Sequence, residues 1–251
     1  MTLSSSNSST LDPLGMFYPN ICQACQRHPA YHHEGYVCTA CRSHIRHIQT
    51  PFCDKCGLPF PGDLDTEFIC SNCIDQAWAF DSARSVAYSG GILRDIIHRF
   101  KYMGANWFEC FLTGAFMAKA GKELHPGQWD GVISTPLHPV KLRERGYNQA
   151  NCLAKSLANH LNTPLITNTL KRTKATKPQA TLSRSERLQN VKDAFKVSDK
   201  QSIEGLKLVL VDDVMTTGAT VSACADSLKR SGANTVAVWT LARGGLSTNL
   251  A

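Results

Sequence analysis

The sequence predicts an α/β fold, a mostly parallel sheet flanked by helices with a small cysteine-bearing unit ahead of it. Two observations carry that expectation. From residue 83 to 241, short apolar runs rich in β-branched residues alternate with stretches of helical periodicity. Between 22 and 73, eight of the eleven cysteines fall into four C-x-x-C pairs, in a stretch poor in aliphatic side chains. A chain of 251 residues has room for one α/β domain and a small appendage. The expected division is a disordered lead-in over 1–19, a metal-binding unit over 20–78, an α/β domain over 79–245 and a polar tail over 246–251.

The lead-in begins MTLSSSNSST, which has neither a basic start nor an apolar centre and does not read as a signal peptide. No apolar run approaches the ~20 residues that span a bilayer, so membrane insertion is not expected and the reading is cytoplasmic.

The cysteine pairs come next: Cys22/Cys25, Cys38/Cys41, Cys53/Cys56 and Cys70/Cys73. Twelve residues separate Cys25 from Cys38, and thirteen separate Cys56 from Cys70. Two thiolates three residues apart grip one metal from a tight turn, and a second such turn completes a tetrahedron. Four sulfurs per site suit structural Zn²⁺. Sequential pairing is the preferred reading; the spacing also allows an interleaved one. A disulfide framework would require an oxidising compartment, and a redox C-x-x-C would come singly. The histidines His28, His44 and His47 are expected at the surface, and Cys110, Cys152 and Cys224 as buried small apolar residues. With so few aliphatics, this unit would draw its folding energy from the metal.

Residues 83–88 read as a strand, followed by a Ser89-Gly90-Gly91 turn. Ile92, Ile96, Ile97 and Phe100 repeat with helical spacing and leave Arg94 and Lys101 on the outer surface. A second helix is expected from Trp107 to Ala120, closed by Gly121. Gly131–Ile133 is a short strand that runs into Ser134-Thr135-Pro136-Leu137-His138-Pro139. After Lys141, Arg143 and Arg145 comes a helix to about Leu161. Residues 171–190 form the least structured interior stretch, and Thr235–Leu241 is a further buried strand.

The most informative segment is Leu206–Arg230. Leu208–Val211 reads as a buried strand; Asp212 and Asp213 follow, then Thr216, Thr217, Gly218 and Thr220. Helical spacing starts after Gly218, with Val221, Ala225 and Leu228 on one face and Gly232 at the stop. A strand that passes through small hydroxyl residues into a helix N-terminus is an anion site, because backbone N–H groups are free there and glycine admits close approach. The paired acids would repel a phosphate, so they need another partner. Ribose hydroxyls beside a 5′-phosphate supply one, and a divalent metal would offset the remaining repulsion.

The run VLVDDVMTTGAT resembles the phosphoribosyl-pyrophosphate (PRPP) motif of the type I phosphoribosyltransferases. The likeness extends through Y-S-G-x-x-x-x-x-I-H-R-F-K-Y-M-G, P-L-H-P-x-K-L-R-E-R-G-Y-N-Q and the terminal L-A-R to the ComF family, associated with DNA uptake in natural transformation. It covers nearly all of Cys22–Arg243 and departs at Ser134-Thr135, where Val-Pro is expected. The resemblance implies a double zinc-binding unit joined to a phosphoribosyltransferase-like domain. It places PRPP against Asp212, Asp213, Met215, Thr216, Thr217, Gly218, Ala219 and Thr220. Thr135, Pro136, Leu137 and His138 would form the pyrophosphate loop, with Arg143 and Arg145 as bidentate donors. It implies Mg²⁺ accompanying PRPP, a mobile active-site loop near 171–190, and DNA-uptake or helicase proteins as partners.

Net charge is +7. Between Leu137 and Lys196 lie 12 Lys or Arg against 3 acids, so this segment supplies the whole basic surplus and points to a polyanion. Lys171, Arg172, Lys174, Lys177, Arg184 and Arg187 are the candidate nucleic-acid contacts. The absence of aromatic residues among them favours phosphate contact over base recognition. Three functions are therefore expected in contest. One is a single-stranded DNA-binding protein of DNA uptake; the second is an active transferase moving ribose 5-phosphate from PRPP to a nitrogen acceptor; the third is a zinc scaffold with a regulatory ligand site.

Overall fold

The structure, a computed structural model, describes residues 20–62, 66–174, 186, 190, 191 and 193–244. The expected lead-in and tail, and Lys177, Arg184 and Arg187, lie outside them.

The cysteine-bearing stretch is built from tight turns and two short helices, α1 (Thr39–Ser43) and α2 (Ser71–Ile74), which start directly after Cys38 and Cys70. Strand β1 (Ser82–Tyr88) leads into α3 (Gly91–Tyr102) and then α4 (Glu109–Glu123). Strand β2 (Gly131–Ser134) is followed by α5 (Pro139–Arg145) and α6 (Gln149–Leu161). A ribbon of β3 (Leu170–Arg172) and β4 (Phe195–Val197) comes next, and β5 (Lys207–Met215), α7 (Ala219–Arg230) and β6 (Thr235–Arg243) close the fold.

The main sheet has the order β1-β6-β5-β2 and every pairing in it is parallel. Its central strands are buried on both faces, which is why Leu208–Val211 and Val236–Val238 read as unbroken apolar runs rather than alternating ones. One core lies between the sheet and α3, α4 and α6, around Phe108, Phe116, Leu157 and Trp239. The other lies under α7, around Phe80, Leu210, Leu228 and Val238.

Four expectations are corrected. The second helix runs through Gly121 to Glu123, because that glycine is a contact and not a stop: its carbonyl lies 2.9 Å from the His160 ring nitrogen on α6. Residues 139–145 form a helix of their own, started by Pro139 with His138 as its N-cap. Residues 171 and 172, expected in an unstructured stretch, belong to the antiparallel β3–β4 ribbon, three residues a side and too short to register as periodicity. Cys110 is exposed, although Cys224 is buried.

The cysteine-bearing stretch joins the free edge of β1. Ile48 N–H bonds to the Val86 carbonyl and Tyr88 N–H to that of Arg46. Gly57 holds φ +65°, and a Cβ there would sit 2.5 Å from the Ala83 carbonyl oxygen, so close approach at this seam requires glycine.

Candidate functional site

Two cysteine clusters stand at the N-terminal side. The thiols of Cys22, Cys25, Cys38 and Cys41 all lie within 4.8 Å of one another, and so do those of Cys53, Cys56, Cys70 and Cys73. The pairing is therefore sequential. Sulfur–sulfur separations of 3.7 Å for Cys22–Cys41, 3.8 Å for Cys25–Cys38 and 3.7 Å for Cys56–Cys70 match the edge of a zinc tetrahedron, about 3.8 Å for Zn–S bonds of about 2.3 Å. Backbone N–H groups of Cys38 and Cys70 point at Cys22 and Cys53 sulfurs, each at 3.3 Å, and favour the thiolate form. Backbone donors hold the Cys25 thiol down at about 6, whereas burial and then the charge of Cys56 push Cys70 up to about 11. Four thiolates packed this closely need a cation among them, and the donor set fits structural zinc.

The second site lies along the C-terminal edge of the sheet. Strand β5 carries Asp212 and Asp213 to that edge, both half-buried, and Asp213 N–H donates to the Asp212 carboxylate at 2.9 Å. The chain then turns through Thr216 and Thr217 to Gly218, at φ +84°, and enters α7. The Thr217 hydroxyl lies 3.4 Å from the Ala219 N–H. A Cβ on Gly218 would meet the Met215 methyl at 2.9 Å and the Trp78 ring at 3.2 Å, so the glycine answers both to its left-handed backbone and to crowding. Residues Asp212 and Val214–Val221 line a hollow of about 20 Å³, room for a single small group against the helix N-terminus.

Cations face the acids. Lys101, at the end of α3, reaches Asp213 at 2.8 Å with both side chains less than a fifth exposed; it is not the outer-surface residue its helical position suggested. Burial, followed by the charges of Arg172 and Arg145, pushes the Lys141 ammonium below its ordinary range. Arg172 is likewise pushed down by burial, with Asp212 acting in the opposite sense and Arg145 adding to the shift. Lys141 and Arg145 thus act on Arg172, and of the three it is Arg172 whose charge reaches Asp212. Burial and then the Asp213 charge drive Asp212 up to about 7.

The loop after β2 closes one side. Thr135 N–H bonds to the Val211 carbonyl at 2.8 Å, and the Thr135 carbonyl accepts from Asn148 at 3.0 Å. The Thr135 hydroxyl oxygen is buried, close to the Cys224 thiol. Pro136, Leu137 and His138 wall a cleft of about 740 Å³ bounded across from them by Leu170–Thr173 of the ribbon. Arg143 is exposed, whereas Arg145 turns inward and bonds to Gln149 at 3.1 Å.

Among the nucleic-acid candidates, Lys171 and Lys174 are exposed, and Lys171 stands directly opposite Lys196 across the β3–β4 ribbon. Arg172 faces the acids and belongs to the ligand site. Sequence reasoning missed Lys101, Lys141 and the buried Arg243, which donates to the Cys56 carbonyl at 2.7 Å and to the Met215 sulfur at 3.1 Å. That side chain ties the second cysteine cluster to the strand carrying the acids. A signal for Lys101 existed in its place four residues after Ile97, beside the apolar stripe.

The double zinc ribbon domain matches residues 14–77, and the phosphoribosyl transferase domain matches residues 143–249. Competence protein F of Haemophilus influenzae is 31% identical over 211 residues, 82% of this chain and 90% of its own length. DNA utilization protein YhgH of Salmonella typhimurium is 32% identical over 230 residues, 90% of this chain and 97% of its own. Competence protein ComFC of Bacillus subtilis is 30% identical over 219 residues, 82% and 84% of the two chains.

Proposed function

Since this chain belongs to the ComF family, we propose that it serves DNA uptake in the cytoplasm, binding PRPP at the end of β5 and single-stranded DNA on the adjoining basic surface. One observation carries the reading: Asp212 and Asp213 stand between a helix-N-terminal loop and two cations, Lys101, which bonds to Asp213, and Arg172, whose charge acts on Asp212. Acids flanked by cations suit a ligand that joins neutral hydroxyls to phosphates.

In this reading the Thr216–Thr220 loop takes the 5′-phosphate and the two carboxylates accept the ribose hydroxyls. Thr135–His138, with Arg172 across the cleft, takes the pyrophosphate, a role in which the buried Thr135 hydroxyl would donate. Mg²⁺ brought with PRPP would neutralise phosphate charge beside the acids. Two zinc ions would hold the cysteine clusters, which reducing surroundings keep as thiolates. The exposed Lys171–Lys196 pair supports the DNA half, because like charges set directly opposite repel unless a polyanion lies over them. The proposed division leaves residues 20–78 for zinc and for protein partners such as helicases, and 79–245 for the ligand sites.

Calorimetric titration with PRPP and a salt series with an oligothymidylate test the two halves. Saturable PRPP binding is expected, along with DNA affinity that falls linearly in log–log form as salt rises. Lys171→Ala with Lys196→Ala should flatten the slope by about one per lost phosphate contact. A chain that binds neither ligand contradicts the reading.

A further inference from the structure

Three large side chains stand in solvent on the turn between α3 and α4: Tyr102 is 62% exposed, Met103 65% and Trp107 41%. Soluble proteins rarely gather such residues on the surface without a partner. They are not loose ends of the core. Phe100 and Phe108, on either side of the turn, are the residues that anchor it, at 4% and 0% exposure. The Tyr147 hydroxyl donates to the Phe100 carbonyl and fixes the α5–α6 connection against the end of α3.

The Tyr102 ring is set among basic side chains, and Trp107 packs on Phe108. The Arg145 guanidinium lies 4.7 Å from the centre of the Tyr102 ring, and the His98 ring is 5.0 Å from it. Arg145 in turn belongs to the group with Lys141 and Arg172. On α5 the lone acid Glu144 is outnumbered by Lys141, Arg143 and Arg145. Glu109, the first residue of α4, is the acid that borders the turn, and Asp213 is paired with Lys101.

We propose that this turn is the base-stacking platform for single-stranded nucleic acid, with bases on Tyr102 and Trp107 and the phosphate backbone on Arg145 and Lys141. This placement rests on the DNA-binding reading above and gives it an address. A rigid aromatic surface next to clustered cations fits a polyanion that carries planar faces. A duplex keeps those faces stacked inside itself. The aromatic residues missing from the 171–190 segment are supplied by a turn about 70 residues earlier in the chain. Because Lys101 immediately precedes Tyr102 and touches Asp213, a strand lying here runs along the rim of the candidate PRPP site.

Tryptophan fluorescence reads this turn selectively. Trp107 is the exposed indole, Trp239 is buried, and the ring nitrogens of Trp78 and Trp129 are enclosed. Oligothymidylate is expected to quench the wild-type signal. Tyr102→Ala and Trp107→Ala should each weaken binding by about five- to a hundredfold, leave the salt slope unchanged because no phosphate contact is lost, and leave duplex binding unchanged. Trp107→Phe should restore most of the affinity by keeping a ring. Single-stranded affinity equal to wild type in both alanine variants overturns the placement, and so does an equal loss for duplex. A wild type that binds no single strand overturns the DNA-binding reading itself, an outcome distinct from variants that bind as wild type does.

Discussion

Asp212 carries the largest electrostatic cost on the ligand edge. Burial raises its carboxyl to about 7 from an ordinary value of 3.8, with the Asp213 charge adding to the effect and Lys101 opposing it. For a carboxyl whose folded value lies above its unfolded one, the native state holds the proton more tightly between the two. Stability is then full below about 4 and falls as pH rises towards 7. Asp212→Asn, isosteric with the protonated acid, should match wild-type thermal stability near pH 4 and exceed it at pH 8. A variant less stable than wild type at pH 8 contradicts this sign. The acids themselves were legible in the sequence, because two adjacent carboxylates before TTGAT have no packing role. Lys101 was not, because a long side chain can leave a helix's outer flank and bury its stem while the ammonium reaches inward.

At the scale of elements, legibility followed the length of the pattern. Four C-x-x-C pairs named both clusters, and the apolar run Leu208–Val211 named the central strand. Helix α5, at seven residues, and the three-residue strands β3 and β4 fell below the length at which periodicity speaks. Gly121 misled because a glycine that lets two helices approach and one that ends a helix look alike in sequence. The cysteine turns carry their own prediction. Each short helix α1 and α2 is started by a cysteine of its cluster, so metal and turn should stand or fall together. Protein purified without added zinc should hold about two ions per chain and lose the structure of residues 20–78 under a strong chelator. Fewer than one ion per chain, with that stretch still folded, contradicts it.

For the whole molecule, the parallel sheet order β1-β6-β5-β2 does the gathering. It brings the end of β5, the loop after β2 and the end of α3 to one edge, as open α/β sheets do with their ligands. Arg243 then links that edge to the second cysteine cluster through Cys56 and Met215. No helix among the described residues is long and apolar enough to cross a membrane. The motif spacing foretold the edge but not the cations beside it, since Lys101 and Arg172 come from two separate segments that only the fold unites. The central claim is that the two carboxylates hold ribose hydroxyls while the threonine loop holds phosphate. The most direct test is calorimetry of PRPP and of inorganic phosphate on the Asp212→Asn/Asp213→Asn variant. At roughly 1.5–3 kcal/mol per charge-assisted hydrogen bond, PRPP affinity should fall about a hundredfold or more, while phosphate binds no worse than to wild type. PRPP affinity equal to that of the wild type would contradict the account.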